Sequence, residues 1–116
     1  MSRREDWVRL RHMLDAVRQA LEFVTGRDRG DLDSDPMLLL ALTRAVEIVG
    51  EAANHVSEEG RRKYPALPWA EMVGIRNNVI HEYFRVNSDV LWATVADDFP
   101  KLRTELEAIL TAEGRL

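Results

Sequence analysis

Hydrophobic residues recur along the first part of the chain at the spacing of an amphipathic helix. Between residues 6 and 24 they stand three or four positions apart, at Trp7, Leu10, Leu14, Val17, Leu21 and Val24. This spacing places them on one face of a helix, and Gly26 follows where a left-handed C-terminal cap belongs. The sequence therefore predicts a first helix over residues 6–24, followed by a polar loop over residues 27–34.

A second helix is predicted over residues 37–56, because Ser34 or Asp35 can cap it and Pro36 suits its first turn. Its apolar residues cover more than one stripe, which is typical of a central helix or of one that faces a partner. Gly50 interrupts it, and the close approach of another helix would explain a glycine there. The polar and basic residues that follow, up to residue 64, are expected to finish this helix.

Two more helices are predicted after a rigid connector that holds two of the prolines. The third runs from residue 69 to about residue 83, and a short turn follows it. Asn87 or Ser88 can cap the last helix, which Pro100 should kink or break. The chain, residues 1–116, is therefore predicted to form one all-α domain. We expect an up-down bundle of four helices, or of five if the proline breaks the last one.

The composition excludes several classes of protein. The chain has no cysteine, which excludes disulfides, thiol catalysis and thiolate metal sites. No apolar run approaches the ~20 residues that span a bilayer, and no signal-peptide region is evident, so a cytoplasmic protein without membrane contact is expected. The net charge of −4 confines any nucleic-acid binding to a local basic patch. Candidate patches are residues 61–63, Arg76 with Arg85, and the arginines of the N-terminal run at 3, 4, 9 and 11.

Residues 76–83, here called the motif segment, hold the side chains best suited to chemistry: Arg76, Asn77, His81 and Tyr83. Arginine grips phosphate and histidine exchanges protons near neutral pH, so the pair suits metal-free phosphodiester cleavage. In RNA, a 2′-OH can attack the adjacent phosphate, with His81 as acid or base and Arg76 neutralising the developing charge. Asn77 would orient the histidine or a phosphate oxygen, and Tyr83 would donate to phosphate or position the histidine.

The geometry of a straight helix complicates this hypothesis. Arg76 and His81 are five residues apart and would point about 140° apart around an ideal helix. Either the long arginine side chain reaches round, or two copies of the motif segment meet across a dimer. Purely structural interpretations also stay open. His81 can be a structural residue, Arg76 can form a salt bridge with Glu82 or Glu51, and Tyr83 can be a core residue with a solvated hydroxyl.

The motif segment resembles the Arg-x4-His-x-Tyr signature of the HEPN superfamily, and more specifically that of HepT-like proteins. The flanking sequence at residues 44–53, 64–69, 74–77, 83–87 and 91–92 agrees, so the resemblance covers nearly the whole chain. It implies a HEPN-like homodimeric helical bundle in which two motifs form a composite cleft. It also implies a metal-independent endoribonuclease without a cofactor, in which Arg76 and His81 are catalytic and Asn77 and Tyr83 support them.

The resemblance further implies the toxin of a type II-like toxin–antitoxin system that cleaves tRNA or mRNA. The usual partner is a minimal nucleotidyltransferase (MntA-like) antitoxin, which can transfer AMP to the motif tyrosine, here Tyr83. A bulky anion there would block and repel RNA phosphate. Glu47 and Glu51 match family positions, and they are expected either to hold Arg76 in place or to form a solvated stripe.

Two other functions stay open at the level of sequence. The chain can be a non-catalytic helical interaction module that binds and regulates a nucleotidyltransferase. It can also be a nucleotide-binding subunit in which Arg76 holds a phosphate without cutting anything. Incubation of the pure protein with RNA in EDTA separates these functions from a nuclease, because only the nuclease leaves cyclic-phosphate ends.

Overall fold

The computed structural model describes residues 3–82 and 85–116, except for the side chains of residues 3, 4, 81 and 82. Its helices are α1 Arg3–Val24, α2 Asp31–Ser34, α3 Pro36–Asn54, α4 Glu58–Lys63, α5 Trp69–Val79, α6 Ser88–Ala93 and α7 Phe99–Ala112. A π-helical segment, Thr94–Asp98, joins α6 to α7. Two short antiparallel strands, β1 Ile80–Glu82 and β2 Arg85–Val86, follow α5. The predicted all-α bundle is confirmed, with this ribbon as an addition.

Helix α3 is the centre of the bundle, because it packs against α1 on one side and α5 on another. Its broad apolar surface is used for both contacts, and Leu42, Val46 and Val49 are completely buried. Helix α7 covers α1 from a further side and contributes buried leucines such as Leu106. Each buried side chain of this size stabilises the fold by about 1.5–3 kcal/mol relative to an exposed one.

The junction between α1 and α3 follows the predicted caps but not the predicted loop. Gly26 has a φ of +75°, as expected of a left-handed cap. Asp35 begins α3 by accepting hydrogen bonds from two backbone N–H groups of its first turn. The prediction of a plain loop is wrong over α2, where the Asp28 N–H donates to Oδ2 of Asp31 at 2.8 Å and supports a helical turn. Arg27 donates a hydrogen bond to Asp35 at 2.8 Å. This hydrogen bond is the main reason why the pKa of the Asp35 carboxyl lies below its ordinary value.

The polar end predicted for the second helix is wrong, since α3 ends at Asn54 and α4 begins separately. Ser57 caps α4 by accepting a hydrogen bond from the Gly60 N–H at 3.0 Å. Its own N–H and hydroxyl donate to the carboxylate of Asp6, at 2.9 and 2.6 Å. Asp6 is only 4% exposed, so α1 supplies a buried anchor that starts α4 at this point.

The third helix was predicted to run to about residue 83, and this is wrong: α5 ends at Val79. Ile80 adopts an extended backbone, with φ −113° and ψ 108°. The Val79 carbonyl accepts a hydrogen bond from the Asn87 N–H at 2.7 Å, and Ile80 pairs with Val86. Val79 and Ile80 are both buried, so the bend is held from inside the bundle. The short turn predicted after this helix therefore begins as strand β2.

The last helix begins at its predicted cap and changes its hydrogen bonding before its proline. The side chain of Asn87 accepts a hydrogen bond from the Val90 N–H at 3.1 Å. The helical path then continues from α6 through the π-helical segment into α7, where Pro100 lies in the first turn. A proline is tolerated there because its missing N–H is not needed.

Helix α1 is also tied to α7 and to the residues after it. Arg18 pairs with Glu107 at 2.7 Å, and Arg11 donates to the carbonyl of Arg115 at 2.8 Å. The guanidinium of Arg115 lies 4.5 Å from the centre of the Trp7 ring. These contacts join positions far apart in the sequence. Among the helices of residues 3–82 and 85–116, none is long and apolar enough to cross a membrane.

Candidate active site

Arg76 lies in the last turn of α5 with 53% of its side chain exposed. Its Nε is 3.7 Å from Oε2 of Glu47 on α3, and the glutamate side chain is 32% exposed. Such a long, solvated ion pair contributes at most about 1 kcal/mol. A phosphate group that offers two oxygens to the guanidinium can therefore compete with the glutamate for it.

The position of Arg76 depends on a close approach of α3 and α5 at Gly50. A Cβ added to Gly50 would lie 3.0 Å from Cγ2 of Ile75 and 3.4 Å from the carbonyl oxygen of Met72. The expectation that another helix approaches this glycine closely is therefore confirmed. Because Arg76 directly follows Ile75, the crossing places its guanidinium beside the turn of α3 that carries Glu47.

The two asparagines of the motif segment serve different surfaces. Asn77 is exposed beside Arg76 near the end of α5. Asn78 lines a cavity of about 490 Å³ on the α7 side of α5, whose lining includes Met72 and Phe99. Consecutive helical residues point about 100° apart, which explains why neighbouring amides separate in this way. Asn77 is therefore the amide that remains a candidate for supporting the arginine.

The backbone of His81 lies in β1, so the histidine stands beyond the end of α5. The 140° separation from Arg76 was derived for one straight helix, and this premise fails because the helix ends at Val79. The bend removes the geometric reason for completing the site with a second copy. Tyr83 and the side chain of His81 fall outside the described residues, so their predicted roles stay predictions.

Glu51 lies one helical turn after Glu47 but borders a different surface. It lines a groove of about 260 Å³ between α1 and α3, here called the α1–α3 groove, whose other polar lining residues are Arg9, His12, Arg44 and His55. Sequence reasoning missed this groove. The sequence does hold a sign of it, because residues 44, 48, 51 and 55 are three or four positions apart and therefore share one face of a helix.

The basic run at residues 61–63 is occupied by contacts within the protein. Arg61 donates to the Ala53 carbonyl at 3.2 Å. Arg62 lies 3.7 Å from Glu58, and Lys63 lies 2.7 Å from a carboxylate of residue 113. This candidate patch is therefore largely neutralised. In the part of the chain that the structure describes, no group of three or more His, Asp or Glu side chains is placed to hold a metal ion.

Comparison with known proteins identifies the family of this chain. The family model described as ribonuclease HepT-like matches residues 13–109. The chain belongs to the ribonuclease HepT-like family. The match includes α3, α5 and the whole motif segment, so the resemblance expected from the motif is confirmed. No solved structure matches the chain.

Three relatives match this HepT-like chain over nearly their full length. A protein of Methanocaldococcus jannaschii provisionally named RNase is 37% identical over 109 residues, covering 94% of this chain and 100% of the relative. A protein of Caldanaerobacter subterraneus subsp. tengcongensis, also provisionally named RNase, is 38% identical over 104 residues, and the match covers 90% of this chain and 93% of the relative. A protein of Thermococcus cleftensis provisionally named ribonuclease HepT is 35% identical over 100 residues, and the match covers 83% of this chain and 91% of the relative.

Proposed function

We propose that this HepT-like protein is a metal-independent endoribonuclease and the toxin of a type II-like toxin–antitoxin system in the cytoplasm. The observation that carries the proposal is the placement of Arg76. It is exposed at the end of α5, is held against α3 only by a loose ion pair, and precedes His81 by five residues. The family, and relatives named as ribonucleases, support RNA as the substrate.

The proposed reaction is an intramolecular transfer at one phosphodiester of RNA. The 2′-oxygen attacks the adjacent phosphorus while its proton passes to a base, and the bond from phosphorus to the 5′-oxygen breaks. The leaving oxygen takes a proton from an acid, which gives a 2′,3′-cyclic phosphate and a free 5′-OH. His81 serves as acid or base, since an imidazole exchanges protons near pH 7.

Arg76 is proposed to hold the non-bridging phosphate oxygens, whose negative charge increases as the new bond forms. A guanidinium can donate two parallel hydrogen bonds to them. These hydrogen bonds stabilise the transition state, where the negative charge has increased, more than the ground state. Asn77 supports this arrangement from the neighbouring position. Glu47 orients the arginine in the free protein and gives it up when the substrate phosphate arrives.

The active unit is proposed to be a homodimer with a composite cleft. Support comes from the family resemblance and from two large apolar side chains on the outer face of α3, Met37 at 81% and Leu40 at 69% exposure. Exposed apolar groups this close together are typical of a surface that a partner covers. In the dimer, the two copies of His81 would supply both the acid and the base.

The proposed antitoxin is a minimal nucleotidyltransferase that binds the dimer and transfers AMP to Tyr83. The added phosphate would carry negative charge into a cleft that must accept RNA phosphate, so it would repel the substrate as well as obstruct it. Mass spectrometry of the protein co-expressed with such a partner tests this step. An unmodified Tyr83 in an inactive complex would leave direct blockage by the antitoxin as the mode of silencing.

The nuclease is tested by incubating the pure protein with tRNA and mRNA in EDTA. We expect cleavage with cyclic-phosphate ends, lost in His81→Ala and in Arg76→Ala, while sedimentation shows both variants in the same oligomeric state as the parent. Cleavage by pure His81→Ala at the parental rate would refute the assignment of that residue. Stable binding of a nucleotidyltransferase without any RNA cleavage would instead support the non-catalytic interaction module.

A further inference from the structure

Several basic side chains in the described part of the chain form ion pairs with carboxylates, whereas others do not. The ion pairs are Arg18 with Glu107, Arg27 with Asp31 and Asp35, Arg29 with Asp33 and Asp89, Arg62 with Glu58, Lys63 with Glu113, and Arg76 with Glu47. Arg9 and Arg44 are among the described basic residues that form no such pair, and these two line the α1–α3 groove. In a chain of net charge −4, two unpaired guanidiniums in one groove form a local positive site.

The α1–α3 groove also holds two of the chain's three histidines, His12 and His55. Nδ1 of His55 lies 2.8 Å from the Glu51 carbonyl oxygen. A carbonyl can only accept, so Nδ1 donates, and Nε2 of the neutral ring is left to accept a hydrogen bond from a ligand. Nε of Arg9 is buried without a hydrogen-bond partner among the described groups. The groove thus presents several nitrogen donors against one carboxylate, that of Glu51, which is the composition of a phosphate-binding surface.

The α1–α3 groove lies beside the candidate active site along α3. Glu51 borders the groove, while Glu47, one turn earlier and about 40° round the helix, contacts Arg76. A helix with its side chains is only about 10–12 Å across, so a nucleic-acid strand can run over α3 from Arg76 to Arg44. Proteins that bind single strands commonly use such a positive groove to follow the nucleic-acid backbone.

We infer that the α1–α3 groove binds the backbone of the RNA next to the phosphate held by Arg76. This inference rests on the proposed nuclease function and adds a substrate path to it. Arg9 and Arg44 hold non-bridging oxygens, His12 donates a further hydrogen bond, Nε2 of His55 accepts one from a ribose hydroxyl, and the carboxylate of Glu51 weakens binding by repulsion. RNA is favoured over a protein partner because the groove is positive and its polar donors outnumber its apolar lining.

The test measures binding of a fluorescently labelled single-stranded RNA by anisotropy in EDTA, with His81→Ala as the parent so that the RNA stays intact. We expect Arg9→Met and Arg44→Gln each to weaken binding about tenfold, the size expected for one charge-assisted contact. The double variant should reduce the slope of log K against log salt by about 1.4, since each lost phosphate contact on a single strand contributes about 0.7. Glu51→Gln should tighten binding.

Arg103→Gln is the matched control, because Arg103 is exposed on α7 and has no carboxylate partner among the described residues. It should bind RNA as the parent does, and circular dichroism should show every variant folded. With His81 restored, the groove variants should raise KM for cleavage with kcat unchanged. Parental affinity and KM in the Arg9 and Arg44 variants would overturn the inference. Loss of RNA binding together with loss of the dimer would also overturn it, since the groove would then be a protein interface.

The two proposals fail in different ways. If the wild-type protein cuts no RNA and the His81→Ala parent binds none, the proposed function fails. If the wild-type protein cuts RNA while the groove variants behave like the Arg103→Gln control in binding and in KM, only the α1–α3 groove loses its role.

Discussion

Replacing Gly50 and Gly74 by alanine, one at a time, measures how tightly α3 and α5 cross. Both glycines lie inside helices, so each change should gain about 1 kcal/mol of helix propensity. A Cβ at Gly74 meets nothing within 4 Å, whereas one at Gly50 lies 3.0 Å from Cγ2 of Ile75. Overpacking of one methyl group lies at the lower end of a 1–3 kcal/mol range. We therefore expect Gly74→Ala to stabilise by about 1 kcal/mol and Gly50→Ala to leave stability nearly unchanged.

Urea unfolding followed by circular dichroism gives both free energies, and thermal unfolding should show Gly74→Ala about 4 °C above Gly50→Ala. RNA cleavage supplies a second readout. Only Gly50→Ala pushes on Ile75, the residue before Arg76, so only Gly50→Ala should lower kcat. Equal stabilisation by the two alanines would show that the crossing has slack and would refute the idea that Gly50 positions Arg76.

Three further predictions concern single contacts. Asp6→Ala should destabilise the protein by about 3 kcal/mol in urea unfolding, because the N–H and hydroxyl of Ser57 lose their buried acceptor; a loss under 0.5 kcal/mol would contradict this. Asp35 has a lowered pKa, chiefly through Arg27, so its contribution is present above the carboxyl's ordinary pKa and is lost as pH falls through the folded value. Asp35→Asn, which can still cap α3, should therefore lose less stability than the wild type between pH 6 and pH 3, and equal losses would count against it. Glu47→Gln should change stability by less than about 0.5 kcal/mol but lower KM, because Arg76 no longer has to leave the glutamate to bind phosphate, whereas an unchanged KM would assign Glu47 to a solvated stripe.

The predicted features that the structure confirms depend on residues close together in the sequence. Asp35 and Asn87 were predicted as caps because a side-chain oxygen accepts from an N–H two or three residues later. Gly26 was predicted from its place after the last apolar residue of α1. The central position of α3 followed from the width of its apolar surface. In each case the decisive contact, or the decisive pattern, lies within one helix.

The wrong predictions depend on partners that are distant in the sequence. The end of α5 is fixed by the hydrogen bond that the Asn87 N–H donates to the Val79 carbonyl, eight residues away. The helix propensities of the residues in α5 do not predict this bond. The start of α4 is fixed by Asp6, which precedes Ser57 by 51 residues. The α1–α3 groove combines two helices, so Arg9 and His12 of α1 could not be placed beside Arg44 from spacing alone.

The packing of α1 against α7 has a consequence for the timing of biosynthesis. Arg18 and its partner Glu107 are 89 positions apart. The chain between them includes helices α2 to α6 and the first part of α7. At the usual 5–20 residues per second, a ribosome needs roughly 4–18 s to make that stretch. During this interval α3 can cover one side of α1, but the side that meets α7 stays exposed to water and to chaperones. The finished bundle therefore appears late in translation, and premature termination before α7 would leave an apolar surface open to degradation.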